Sequence, residues 1–318
     1  LQRSQDLIKG PADGWRAEGA PQLPSIRHHL RSPWSFIACL IALLLLSACE
    51  GPQTKILRTP MVHDYGEDAI GENRCERRVP PQGEKDQFGG WKFQDGGSRY
   101  LVKVPVNYEE SRMHPLLVVF SPAGASAEDN ERFTRLTPVA TEKGFVVAYI
   151  ASRPMSLASV KAQAKVIGTL MAGWCIDPKQ VFFAGHSDGG TVSTILALLP
   201  ESRGVASGIA VSAAGVLPLD TQPMGCPSKP LKVLLMHAED DTHFPGYGRK
   251  MAQWWSQCFR CTGVEAKPDA KGCRNYIGCE SSELKFCEGS GGHTKWPAMQ
   301  SEMLNFFLSK QLDNPRGR

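Results

Sequence analysis

The chain has no long basic run and no acidic block, and its formal net charge is only +4 over 318 residues. Nucleic acid is therefore not an implied partner, because tracking a phosphate backbone needs clustered cations. Internal repeats and low-complexity segments are also lacking, which excludes a solenoid or a disordered scaffold. The apolar stretch from Phe36 to Leu46 is too short to cross a bilayer comfortably. Residues 1–26 contain no methionine and no apolar periodicity, and the first methionine is Met61. That segment reads as an over-extended reading frame or a non-standard start, and it is set apart from the fold.

The short apolar stretch does have the flanks of an export signal. Arg27, His28, His29 and Arg31 precede it, and small residues lead out of it to Cys49. The tetrad Leu46-Ser47-Ala48-Cys49 resembles the bacterial lipobox. That resemblance implies cleavage before Cys49, lipid on its sulfur and amine, and a membrane as partner through this anchor. Glu50, where an aspartate would signal retention at the inner membrane of a diderm cell, argues against such retention. The alternative is an ordinary secretory signal or a single anchor helix. The expected location is the cell envelope, on its periplasmic or extracellular face.

Ten cysteines are many for this length, and setting Cys39 and Cys49 aside leaves an even set: Cys75, Cys175, Cys226, Cys258, Cys261, Cys273, Cys279 and Cys287. An even set in an exported protein points to disulfides, with connectivity left open. A zinc site at Cys258, Cys261, Cys273 and Cys279 is disfavoured by the spacing and by an oxidising compartment.

Four segments follow: 1–48, N-terminal extension and signal; 49–97, anchor linker and a hairpin near Trp91; 98–312, a catalytic domain; 313–318, a polar tail. Within the domain, alternation over 99–105 reads as a half-buried edge strand. Apolar runs at 115–120, 144–150, 181–184, 205–211 and 231–236 read as strands, the longest of them buried on both faces, with a last strand at 283–287. Helical patterns lie at 128–143, 157–173 and 299–311. Strands alternating with helices imply an α/β fold with a doubly wound, mainly parallel sheet in one domain.

The run Val181-Phe182-Phe183-Ala184 leads into Gly185-His186-Ser187-Asp188-Gly189-Gly190 and then a helical stretch. Strand, G-x-S-x-G and helix in that order form a nucleophile elbow, which lifts one serine hydroxyl above the sheet edge. Ser187 is the expected nucleophile of a serine hydrolase. His186 beside it is expected to point away and pack. The serine needs a base, and the base an orienting carboxylate, in the chain order Ser, acid, His. Only His237, His243 and His293 follow Ser187; His293, in a glycine-rich turn after the last strand, stands where the base belongs. Glu239, Asp240 and Asp241 all qualify as the acid by position, the other two then being solvated loop charges. This chemistry needs no metal or organic cofactor.

A resemblance separates the three acids. His237-Ala238-Glu239-Asp240-Asp241-Thr242-His243-Phe244-Pro245 resembles the H-G-x-x-D-x-x-V-P segment of the polyhydroxybutyrate depolymerase and feruloyl/acetylxylan esterase group of α/β-hydrolases. Trp174-Cys175-Ile176-Asp177-Pro178-Lys179-Gln180-Val181 is similar to its W-x-I-D-x-x-R/K-V, and Ser290-Gly291-Gly292-His293-Thr294-Lys295-Trp296-Pro297 to its G-G-G-H-T-W-P with Lys295 inserted. The resemblance implies an α/β-hydrolase fold, Asp241 as the acid, and an ester as substrate, either polysaccharide-linked feruloyl or acetyl groups or a polyhydroxyalkanoate-type polyester. The group's L-H-G-C-x-Q is replaced by Ser121-Pro122-Ala123-Gly124-Ala125-Ser126. Oxyanion stabilisation uses backbone N–H groups, so the replacement need not abolish it. The expected donors are Asp188 and either Gly124 or Ala123, since Pro122 has no N–H. Trp296 is a candidate substrate-binding wall beside the base. Rival readings are a peptidase of the same fold and a non-catalytic envelope binding protein.

Overall fold

The computed structural model describes residues 74–76, 78, 80–86, 89–280 and 282–309. The expectations for residues 1–48, for lipid at Cys49 and for the tail at 313–318 lie outside the described residues.

The strands are β1 (Glu84–Lys85), β2 (Trp91–Asp95), β3 (Ser98–Lys103), β4 (His114–Phe120), β5 (Val146–Ile150), β6 (Ile176–His186), β7 (Gly208–Ser212), β8 (Lys232–Ala238), β9 (Gly263–Val264), β10 (Cys273–Ile277) and β11 (Glu283–Gly289). They form one sheet in the order β1-β2-β3-β5-β4-β6-β7-β8-β11-β10-β9. From β5 to β11 along that order every pairing is parallel, and both flanks are antiparallel.

The helices are α1 (Ala127–Thr134), α2 (Thr137–Glu142), α3 (Leu157–Gly173), α4 (Asp188–Leu198), α5 (Pro218–Thr221), α6 (Tyr247–Cys258) and α7 (Gln300–Leu308). The strand period of two divides β4 between two cores. Leu116, Val118 and Phe120 pack with Val160 and Ile167 of α3, Ile195 of α4 and Trp255 of α6. Leu117 and Val119 face the other layer with Ala140 of α2 and Met303 and Phe307 of α7. Each large side chain so buried stabilises the fold by about 1.5–3 kcal/mol, which fixes the register of the sheet and hence the loops at its carboxyl edge.

Several expectations need correction. The 99–105 alternation is not an edge: β2 pairs along the outer side of β3, and Tyr100, Leu101 and Val102 are buried. The single helix expected at 128–143 is two. Pro138 cannot donate to the Thr134 carbonyl, so the chain turns at Arg135 (φ 52), and Gln300 Nε2 of α7 donates to that carbonyl instead, at 2.9 Å. Helix α6 and the β9–β10 hairpin were not anticipated. The cysteines pair as Cys75–Cys175, Cys226–Cys258, Cys261–Cys279 and Cys273–Cys287. The four once weighed as a zinc cluster are thus divided among three disulfides.

Candidate active site

Because β4, β6, β8 and β11 run parallel, the loops that follow them leave one edge of the sheet together. Ser187 stands between β6 and α4 with φ 54 and ψ −119, a conformation that ordinary side chains avoid. The elbow is possible because its glycines lack side chains: a Cβ on Gly185 would strike the Gly189 backbone, and one on Gly189 would strike the Phe120 carbonyl. Ser187 N–H donates to Ser212 O at 2.9 Å, which fixes the turn against β7.

The three sequence-predicted residues meet in a line. Ser187 Oγ lies 2.9 Å from His293 Nε2, and His293 Nδ1 lies 2.9 Å from Asp241 Oδ2. Asp241 is buried, and its Oδ1 accepts the N–H groups of His243 at 2.8 Å and Phe244 at 3.0 Å. Burial alone would push its carboxyl up; the hydrogen bonds from His293, Phe244 and His243 outweigh this and hold it below the ordinary value. A carboxylate at Nδ1 makes that nitrogen the donor, leaving Nε2 to accept from the serine hydroxyl.

The other two histidines do not reach Ser187. His237 is buried and bonded through Nε2 to Phe244 O at 2.9 Å, so it braces the acid loop; burial lowers its pKa. His243 is exposed and stacks on the His293 ring at 4.6 Å. Of the acids, Glu239 is an exposed loop charge whose N–H donates to Gly289 O at 2.8 Å. Asp240 is not a mere solvated charge: its carboxylate accepts backbone N–H groups of Gly291 and Gly292.

His186 does point away from the serine, but it does more than pack. Its Nε2 lies 2.7 Å from His293 O and its Nδ1 3.0 Å from Ser212 Oγ. Burial pushes it from 6.5 down to about 4. A neutral ring facing a carbonyl at Nε2 carries its proton there, so Nδ1 accepts from Ser212. The sequence offered no signal for this, because His186 occupies the variable place of the G-x-S-x-G motif.

On the oxyanion side the two candidate donors separate. Gly124 N–H donates to Ser152 Oγ at 2.9 Å, whereas Ala123 N–H meets no acceptor among the described residues. Ser121, which opens this replaced segment, turns its hydroxyl onto Ile150 O at 2.7 Å, and Pro122 stands in the place of the expected histidine. Asp188 opens α4, so its N–H belongs to the helix terminus beside the nucleophile. Trp296 is half-buried, 6.5 Å from Phe133 and 6.4 Å from His186 ring to ring. It lines a cavity of about 380 Å³ behind the base loop with Ser212, Met236, Lys295, Pro297 and Met299. Among the described residues no three His, Cys, Asp or Glu side chains converge as a metal site.

No family model and no curated protein matches the sequence. Solved structures do match the fold. An acetyl xylan esterase from Aspergillus awamori superposes with a TM-score of 0.57 at 15% identity, over 69% of this chain and 98% of that one. Thermogutta terrifontis esterase 2 phosphonylated by sarin gives 0.52 at 11% identity, over 70% and 95%. This chain has the α/β-hydrolase fold.

Proposed function

We propose that the chain is a serine carboxylic-ester hydrolase, and the observation that carries this is the 2.9 Å Ser187–His293 contact continued by the 2.9 Å His293–Asp241 contact. Ser187 Oγ attacks the ester carbonyl while His293 Nε2 takes its proton, and Asp241 holds the ring in its tautomer and stabilises the imidazolium. The tetrahedral oxyanion is received by the N–H groups of Asp188 and Ala123, each contributing about 3 kcal/mol to the lowered barrier. His293 then protonates the leaving alcohol, and with its proton gone activates water to release the acid from Ser187. The triad needs no cofactor for this cycle.

The two structural neighbours are described as esterases, and one carries a phosphonyl group from sarin; both facts support ester chemistry at this site. The substrate proposed is an ester on a polysaccharide, acetyl or feruloyl, or a polyhydroxyalkanoate-type polyester. The protein is proposed to be exported and held to the envelope by lipid at Cys49, with the disulfides in keeping with an oxidising compartment.

The test is a panel of nitrophenyl acyl esters, acetylated and feruloylated oligosaccharides and polyhydroxyalkanoate films, run with wild type and Ser187→Ala. Hydrolysis of at least one class by wild type alone is expected. Equal rates for folded wild type and variant would end the proposal. For the anchor, Cys49→Ser abolishes incorporation of radiolabelled palmitate; unchanged incorporation refutes it.

A further inference from the structure

Two adjacent carboxylates of the acid loop face the base loop, and only one touches the imidazole. Asp240 Oδ1 accepts from Gly291 N–H and Gly292 N–H, each at 3.0 Å, and its Oδ2 lies 3.2 Å from Gly291 N. Gly291 has φ +128 and Gly292 φ +67, backbone that an L side chain rarely adopts. Successive N–H groups turned this way form a concavity for an anion, and here the anion is supplied from within the chain. The bonds are charge-assisted, so they are stronger than a neutral pair of the same length. The Gly292 and Gly291 N–H groups, with the nearby Lys295 charge, hold the Asp240 carboxyl below its ordinary range.

The neighbouring contacts show what this hold is part of. The loops leave paired strands, with Ala238 opposite Gly289. Glu239 N–H then bonds Gly289 O, Asp240 takes Gly291 and Gly292, and Asp241 takes His293. The acid loop is fastened to the base loop step by step, ending at the catalytic imidazole. Without Asp240, the N–H groups of the two glycines that precede His293 would lose their acceptor on the acid loop.

We propose that Asp240 is a positioning residue: Asp241 sets the imidazole through Nδ1, and Asp240 sets the peptide that carries it. This rests on the reading of Ser187, His293 and Asp241 as a catalytic triad. Displacements of about 1 Å at a reacting group are costly in rate, and a base on a glycine turn is where such displacement would arise. Because Asp240 acts on the geometry of the base and not on the substrate, its loss falls on kcat and leaves KM in place.

The experiment compares Asp240→Ala, Asp240→Asn and wild type. Asp240 is exposed, so each variant is expected to fold. Asn retains an acceptor oxygen that can receive both N–H groups; Ala retains none. Asp240→Ala is expected to lose kcat by about 30-fold with KM within about twofold, and Asp240→Asn to recover most of it. The downfield NMR signal of the proton between His293 and Asp241 should broaden or vanish in Asp240→Ala and persist in Asp240→Asn. Full kcat with an unchanged proton signal in Asp240→Ala overturns the proposal, as does a loss confined to KM. If wild type itself neither hydrolyses esters nor reacts with a serine-directed phosphonate, the triad reading has failed; an active wild type with an indifferent Asp240→Ala removes only this inference.

Discussion

His186 Nε2 donates to the carbonyl oxygen of His293 at 2.7 Å, so the residue before the nucleophile holds the backbone of the base. The elbow thereby sets both of the proposed reacting partners, Ser187 through its own strained turn and His293 through this bond. His186→Phe keeps the ring's bulk but leaves the His293 carbonyl and Ser212 Oγ without this partner. A loss of about 1–3 kcal/mol in urea unfolding is expected, with a fall in kcat of about tenfold. A variant as stable and fast as wild type contradicts this role.

The same residue sets a pH dependence of stability. Burial lowers folded His186 from 6.5 to about 4, and His237 is lowered in the same direction. Between those values the unfolded chain binds protons that the folded chain refuses, so stability falls as pH drops from about 6.5 towards about 4. For His186 alone the fall amounts to as much as about 3 kcal/mol. Urea midpoints across that window should decline in wild type and flatten in part in His186→Phe.

Ala123 is the proposed second oxyanion donor, because the Gly124 N–H is already committed to Ser152 Oγ. Ala123→Pro removes the N–H and should cut kcat by about 100-fold or more, while Ser152→Ala should cost less than about fivefold. The reverse order would assign the role to Gly124.

The elbow tolerates no side chain at Gly189, where a Cβ would meet the Phe120 carbonyl, a backbone atom that cannot swing aside. Gly189→Ala is expected to cost about 3 kcal/mol or more, read as loss of soluble protein or of the thermal transition. A fully stable, active Gly189→Ala enzyme would show that the strand and helix can separate.

Loop length ranks the disulfides. Cys75–Cys175 closes a separation of 100 residues and Cys273–Cys287 one of 14. Replacing the first pair with serines should cost about 4–5 kcal/mol, and replacing the second about 3. Equal losses in urea unfolding would mean that local packing, and not chain entropy, sets their value.

What the sequence made legible follows physical rules that act locally. Continuous apolar runs announced strands buried on both faces, and Gly185, Ser187 and Gly189 announced the elbow because close backbone approach demands glycine. The parallel order then required the triad residues to emerge at one edge. The illegible parts are pairings across distance: His186 with His293 across 106 intervening residues' worth of fold is invisible to periodicity, as is Gly124 with Ser152. Asp240 and Asp241 are neighbours of one type, and only the opposing loop gives one a backbone and the other a ring. The β9–β10 hairpin escaped because its short strands are largely exposed and show little alternation.

Reaction with a fluorophosphonate, followed by intact mass and peptide mapping, tests the triad most directly. Wild type should gain a single phosphonyl adduct on Ser187, Ser187→Ala none, and His293→Ala should react at least about 100-fold more slowly. Folded wild type that stays unmodified, or an adduct on another residue, would contradict Ser187 as the activated nucleophile.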